Sequence, residues 1–329
     1  MKLLITICIS ALIALIPITA LKGAPLQIVV SGTVGGGPDV NARLLARHIT
    51  KHLPNKQSAI VQNMNGGGGL VMMNWLYNIA DRNNAIGNVT LNSNAILNGL
   101  TGDKNARFDL RKFNWLFSTS DGRTNSFVLW ANRTRGLESI DQLLIPGNSF
   151  VIGNQDTGSR NIQSILLKEG MRIESKFVFG YKDIIMALVT NEIDARVGTL
   201  ISAKANNPEW LRPGNVIHPI LQIGGSTRHP ELLNVPMISE FISADYRPLL
   251  DFFEQQMVLA RLFVGPPGMD KKRIEQFNLA ARKVEKDPDY LAEANKLNID
   301  TNFVHYDETN QIIRQVLSTP NETLRKVFK

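Results

Sequence analysis

The sequence predicts an α/β chain folded as two similar units, and three observations carry that prediction. A short apolar strand, a glycine-rich loop and a helically spaced segment follow one another twice in the first hundred residues. The same alternation restarts after residue 125. Beyond the N-terminal segment, no apolar stretch reaches the ~20 residues that a membrane helix needs. With 329 residues, 43% of them hydrophobic, the chain can bury cores for two domains on the rough scale of ~150 residues each.

The first elements are a strand over Gln27–Ser31, a helix over Asp39–His52 with Val40, Leu44, Leu45 and Ile49 at helical spacing, and Pro54 as its stop. A strand over Ala59–Gln62, a helix over Leu70–Ala80 and a strand over Ile86–Leu91 follow. Strand, loop and helix in this order predict a parallel sheet. After a connector, strands are predicted at Phe127–Trp130, Ser149–Ile152, Lys176–Phe179, Ile193–Val197 and Val216–Ile223. Helices are predicted between them at Ser139–Leu144, Asn161–Glu169 and Asp183–Thr190. A strand near Leu259–Val264 crosses back to the first unit and ends at Gly265-Pro266-Pro267-Gly268. Helical patterns then run over Met269–Glu285, Pro288–Leu297 and Asp307–Leu317. The first unit therefore takes residues 24–125 and about 258–329, and the second takes 126–257.

The N-terminus carries its own signal. Lys2 precedes an uncharged apolar run from Leu3 to Ile16, and the small residues Ala20, Gly23 and Ala24 follow Pro17. This is the form of a secretory signal peptide over residues 1–23, which places the mature chain in the periplasm. The single cysteine, Cys8, lies inside the apolar run and not at a cleavage point, so the mature chain carries no thiol.

The chemistry concentrates in two glycine clusters, Gly35-Gly36-Gly37-Pro38-Asp39 and Gly66-Gly67-Gly68-Gly69, each between a strand and a helix. Consecutive glycines permit positive φ and close backbone approach. Their N–H groups, with the positive end of the following helix, form a concavity for an anion. Such loops sit at the carboxyl ends of sheet strands, where ligands bind in open α/β folds. Asp39 is expected to cap its helix by accepting first-turn N–H groups. Asn92, Ser93 and Asn94 end the third strand at the same rim, and Asp156-Thr157-Gly158-Ser159 precedes a helix on the facing unit. Arg160 beside that loop is either a carboxylate fork or a solvated helix residue. The expected ligand-binding set is Gly35, Gly36, Gly37, Asp39, Gly67, Gly68, Asn92, Thr157, Gly158 and Ser159.

Other classes find less support. A P-loop needs Lys then Ser or Thr after its last glycine, and Pro38-Asp39 stand there. A dinucleotide site wants an acidic residue at the end of the second strand, and Gln62-Asn63 stand there. There is no G-x-S-x-G elbow. His48 and His52 lie four apart on one predicted helix without the glutamate of a metalloprotease, which fits a solvated face better than a metal site. With no acid–base pair in sight, no enzyme, metal or cofactor is expected. The formal charge of +7 is scattered along the chain without a basic block, which fits either an anionic ligand or a generally basic exported protein better than nucleic acid. A transport receptor and a sensor feeding a membrane signalling partner would use the same pocket, and an orphan enzyme is the remaining alternative.

The motifs, in order, resemble the substrate-binding receptors of tripartite tricarboxylate transporters, also called the Bug family. The matching residues are Gly35-Gly36-Gly37-Pro38-Asp39 with Ala42-Arg43-Leu44-Leu45-Ala46, and Val61-Gln62-Asn63-Met64-Asn65 running into the second glycine loop. Gly180-Tyr181, Ala187-Leu188 and Glu192-Ile193-Asp194 follow, then His229-Pro230-Glu231-Leu232, Asn234-Val235-Pro236 and Phe263-Val264-Gly265-Pro266-Pro267-Gly268. Three positions depart from the family pattern: Asn65 stands for proline, Asn161-Ile162 for His-Leu, and Asn191 for glycine. The resemblance implies a two-lobed type II periplasmic-binding-protein fold with the ligand cleft between the lobes. It also implies a small carboxylate ligand held largely by backbone N–H groups and water, integral membrane transporter subunits as partners, and a monomer.

Overall fold

The computed structural model describes residues 24–54, 57–91, 93–124, 126–154, 162–180, 183–225 and 227–327. Its strands are β1 (Leu26–Val30), β2 (Ala59–Asn63), β3 (Ala85–Val89), β4 (Asn114–Ser118), β5 (Phe127–Asn132), β6 (Val151–Asn154), β7 (Lys176–Phe179), β8 (Ala195–Thr199), β9 (Ile217–Ile223) and β10 (Leu262–Gly265). Its helices are α1 (Gly37–His52), α2 (Leu70–Asn78), α3 (Asn94–Thr101), α4 (Ile140–Leu143), α5 (Ile162–Ile165), α6 (Ile184–Val189), α7 (Leu200–Asn206), α8 (Arg247–Val258), α9 (Lys271–Val284), α10 (Pro288–Lys296), α11 (Tyr306–Leu317) and α12 (Asn321–Arg325). Among the described residues, no helix is long and apolar enough to cross a membrane.

The strands form two five-stranded sheets, ordered β2-β1-β3-β10-β4 and β7-β6-β8-β5-β9. In the first, β1 pairs in parallel with β2 and β3. Helices cover both faces of β1, so Ile28, Val29 and Val30 are apolar and buried in succession and do not alternate, while Gln27 is exposed. Leu26, Ile28 and Val30 pack with Leu44, Leu45 and Ile49 of α1, and Val29 packs with Met72 and Leu76 of α2.

The sheet is mixed, where strand–helix alternation alone predicts parallel pairing. The returning strand β10 runs antiparallel to both β3 and β4, because it enters from the other sheet at the opposite end. β4 itself lies in the segment expected to be a connector. It is five residues long, and Trp115, Leu116 and Phe117 are all buried, so no alternation betrays it. The second sheet is also mixed, with β6 parallel to β7 and β8 and β5 antiparallel to β8 and β9.

Two crossovers join the sheets, one after β4 and one before β10. They touch in an antiparallel bridge between Asp121 and Leu259. Beside it a Cβ added at Gly122 would lie 1.9 Å from the Met257 carbonyl oxygen, a distance no side chain can occupy. Glycine is therefore the residue that lets the two crossovers run in contact.

The far end of α1 is clamped to α10. Glu293 accepts from Arg47 and lies 2.8 Å from His48 Nε2. His52 Nε2 meets Asp287 at 3.2 Å, and Lys51 pairs with Asp289 at 3.1 Å. The solvated histidine face expected from the sequence is thus corrected: His48 is 5% exposed and stacks edge-on against Tyr290. Its position in the apolar stripe with Leu44, Leu45 and Ile49 is what buries it.

Candidate functional site

The carboxyl ends of β2, β1 and β3 lie side by side, and each leads through a short turn into a helix. This is the edge of an α/β sheet where ligands gather. The two glycine loops occupy it, and they are built differently.

In the first loop, Gly36 is the N-cap of α1 and Pro38 sits in its first turn. Asp39 is the third helical residue and is 1% exposed. It does not cap the first-turn N–H groups, as the sequence led us to expect. Its Oδ2 reaches back to accept the Gly35 N–H at 2.8 Å, and both its oxygens accept from Arg43 Nε at 3.0 Å. Arg43 Nη2 donates onward to Asn63 Oδ1 at the end of β2 (3.1 Å), and Asn63 Nδ2 donates to the Gly32 carbonyl (2.9 Å). The hydrogen bond from Arg43, aided by the Gly35 amide, holds the Asp39 carboxyl below its ordinary pKa despite burial. The Gly36 N–H donates to the Thr33 carbonyl at 3.0 Å. Two of the three glycine amides are thus spent inside the loop. The N–H groups of Gly37 and Asp39, in the first turn, have no intrahelical acceptor and face outward with the helix dipole.

The second loop is a run of four left-handed residues, with φ of 129°, 57°, 61° and 100° at Gly66 to Gly69. The Gly69 N–H closes the turn on the Gly66 carbonyl at 3.1 Å. Gly67 and Gly68 open the turn, so their N–H groups have no acceptor within it. Space as well as φ excludes a side chain here: a Cβ at Gly68 would fall 2.6 Å from the Asn94 Cβ. At Gly69 it would fall 3.5 Å from the Ser31 Cβ and 3.3 Å from the Ala95 Cβ. The ends of β1, β2 and β3 therefore converge on one spot. Ser93 adds a buried hydroxyl with no hydrogen-bond partner among the described residues.

A recess of about 500 Å3, within the range of small-molecule sites, opens beside the start of α1 and spans both sheets. Gly35, Gly37, Asn41 and Arg261 line it from the first sheet, and Thr199 and Ser202 from the second. Thr199 caps α7 by accepting the Ser202 N–H at 3.2 Å. Burial lowers the pKa of the Arg261 guanidinium, which remains a cation. Asn92, Thr157, Gly158, Ser159 and Arg160 lie outside the described residues. Of the expected set, Gly35 and Gly37 line the recess, Gly36 and the buried Asp39 brace the loop beside them without lining it, and Gly67 and Gly68 lie at the meeting point of the three turns, outside the recess lining. Sequence reasoning missed Asn41 and Arg261. The available signal for Asn41 was a polar residue three and four positions before Leu44 and Leu45, on the buried stripe of α1. Among the described residues, no group of three or more His, Cys, Asp or Glu could hold a metal ion.

Two α/β sheets, two crossovers and a recess between them define the two-lobed fold of periplasmic binding proteins. More particularly, the chain has the fold of solved TctC and Bug solute-binding proteins. A TctC solute-binding protein from Polaromonas superposes with a TM-score of 0.68 at 13% identity, covering 94% of this chain and 99% of that one. The adipate-bound protein from R. palustris gives 0.62 at 15% identity, covering 94% and 98%. MatC from Rhodopseudomonas palustris, with bound malate, gives 0.61 at 14% identity, covering 93% and 99%. No protein-family model matches the chain, and no curated protein matches it.

Proposed function

We propose that this chain is a periplasmic solute-binding receptor that captures a small carboxylate ligand and presents it to integral membrane transporter subunits of the tripartite tricarboxylate type. The observation that carries the reading is the paired N–H groups of Gly67 and Gly68, held open by left-handed backbone where three strand ends converge. Backbone donors bind an anion without a fixed countercharge, so the cleft can open and release it. The first turn of α1 supplies further donors, at Gly37 and Asp39. Thr157, Gly158, Ser159 and Asn92 complete the proposed ligand-binding set. The lobes divide near residues 125 and 258, and residues 1–23 are the export signal. The malate and adipate held by two proteins of the same fold support a carboxylate ligand. The site's donors and buried polar side chains serve binding, and the protein turns nothing over.

A thermal-shift screen of mono-, di- and tricarboxylates, amino acids and nicotinate-like acids tests this, with mass spectrometry of co-purified ligand. The expected result is stabilisation by at least one carboxylate at about micromolar affinity, as two or three charge-assisted hydrogen bonds allow after closure costs. Stabilisation by neutral solutes alone, or a robust hydrolytic rate lost on mutating the glycine loops, would remove the receptor reading.

A further inference from the structure

Both lobes share α8. Its Phe252 and Phe253 belong to one buried apolar cluster with Leu91 and Val316 of the first lobe and Leu129 and Ile223 of the second. Phe253 also meets the Phe127 ring, with centroids 5.8 Å apart. Apolar burial is non-directional, so such a seam holds the lobes together without fixing the exact placement of either. Gln256 brings a directional bond into it. This side chain is 1% exposed, and its Nε2 donates to the Leu91 carbonyl at 3.1 Å. Its Oε1 is buried with no partner among the described residues.

The bond lands on the turn that follows β3. There the Ser93 N–H donates to the Thr90 carbonyl at 3.0 Å, and Ser93 is the N-cap of α3. The N–H groups of Ile96 and Leu97 return to the Ser93 carbonyl at 3.1 and 3.2 Å. The second glycine loop rests on this helix start. A Cβ at Gly68 would fall 2.6 Å from the Asn94 Cβ, and one at Gly69 would fall 3.3 Å from the Ala95 Cβ. A run of direct contacts thus leads from the shared helix to the backbone that carries the Gly67 and Gly68 N–H groups.

We propose that Gln256 is a positioning residue for the ligand site: its bond to Leu91 sets where the start of α3, and with it the Gly66–Gly69 loop, stands against the helix that the lobes share. This deepens the receptor reading and rests on it for the ligand. The Leu91 carbonyl is buried and needs a donor, and the surrounding seam is apolar. An apolar side chain of the same length at position 256 removes the donor together with an acceptor that has no partner. The seam then keeps its filling while the turn loses its tie.

Hydrogen–deuterium exchange of the ligand-free chain tests the tie directly, with Gln256→Met as the variant. The amides of Gly69, Ser93, Ile96 and Leu97 are all hydrogen-bonded in the wild type. Their exchange should rise by about tenfold, while that of α8 and α11 stays within about twofold. No rise at the four amides would show that the turn is held without Gln256. An equal rise through α8 and α11 would make Gln256 a packing residue alone. Either result overturns the proposal.

Gln256→Glu supplies a rescue, and stands in for Gln256→Met should that variant fold poorly. Its buried carboxyl holds a proton at about pH 5 and can donate to Leu91, whereas at about pH 8 it is ionised and faces the carbonyl oxygen. Relative to the wild type at the same pH, the four amides should exchange at a similar rate at the lower pH and faster at the higher. Equal ratios at both would count against the tie. Calorimetry with malate, adipate and butyrate as probes then reads the site. Gln256→Met should weaken whichever of them the wild type binds by about tenfold, and unchanged affinity would detach the turn from the ligand and overturn the proposal. A wild type that binds no carboxylate defeats the receptor reading, and the exchange pattern still decides whether Gln256 positions the loop.

Discussion

The two glycine loops look alike in the sequence and work by different physics. Gly35–Gly37 is a helix start whose own amides are largely spent, tied down by a buried carboxylate and an arginine that reaches the next strand. A Cβ at Gly35 would touch nothing within 4 Å. Gly66–Gly69 has no such side-chain brace. It keeps its shape through four positive φ angles and through close packing against Asn94, Ala95 and Ser31. The first loop is shaped by polar bonds and leaves open space at Gly35, and the second is shaped by sterics and leaves none at Gly66, Gly67 or Gly68. A glycine count alone cannot separate a donor platform from a braced turn.

The sharpest way to break this comparison is Gly68→Val. A β-branched residue at φ 61° with its Cβ 2.6 Å from that of Asn94 should cost about 3 kcal/mol or more in chemical denaturation. Carboxylate binding should vanish with it. A variant of wild-type stability would show that the loop has other conformations open to it.

Asp39→Ala removes the brace of the first loop and should cost about 1–2 kcal/mol, with the loss felt in loop order more than in charge recognition. Its pH dependence has a definite sign. The Asp39 carboxyl is lower in the folded chain than its usual value of about 3.9. Its contribution is therefore present above about pH 4 and disappears as pH falls through the lowered folded value. Urea titrations of the wild type and Asp39→Ala between pH 2 and 7 should converge at the acid end. Curves that stay parallel would mean that the Asp39–Arg43 pair carries no stability.

Gly36→Val should leave the fold intact by circular dichroism, since φ is −71° there, and cost at least about tenfold in affinity by crowding the start of α1. Unchanged affinity would move the ligand away from this loop. The smallest effect belongs to Gly35→Ala. With open space around it, only the φ of 77° opposes the methyl group, for about 1 kcal/mol and little change in binding. A loss as large as that of Gly68→Val would erase the distinction between the loops.

Much of the fold was legible because apolar period and glycine punctuation survive in the chain: β1, β2 and β3 and the helices after the first two fall where the spacing puts them. What escaped was set by partners distant in sequence. β4 is buried on both faces and reads as a short apolar patch, and the antiparallel return of β10 depends on where α8 delivers it. α8 itself carries Leu249, Leu250, Phe252, Phe253, Gln256 and Met257 at helical spacing and was readable, but the preceding short turns obscured its start. The placement of both glycine runs between a strand end and a helix start was legible from the sequence. The spending of the Gly35 and Gly36 amides was not, because it depends on how Asp39 bends back. Arg261 was invisible for a similar reason, since a single arginine before an apolar strand acquires meaning only when the crossover sets it beside α1.

The clamp of α1 on α10 has a thermodynamic consequence. The 16-residue helix is about 24 Å long at 1.5 Å per residue, and its end remote from the recess is pinned by Arg47, His48, Lys51 and His52. The amides at its other end therefore have a direction before any solute arrives, and little of their ordering is left to happen on encounter. The heat-capacity change on binding should then report the surface that the two lobes hide from water as they meet. Substitutions that loosen the clamp should appear as an added unfavourable entropy of binding at nearly constant enthalpy, felt some 20 Å from where they were made.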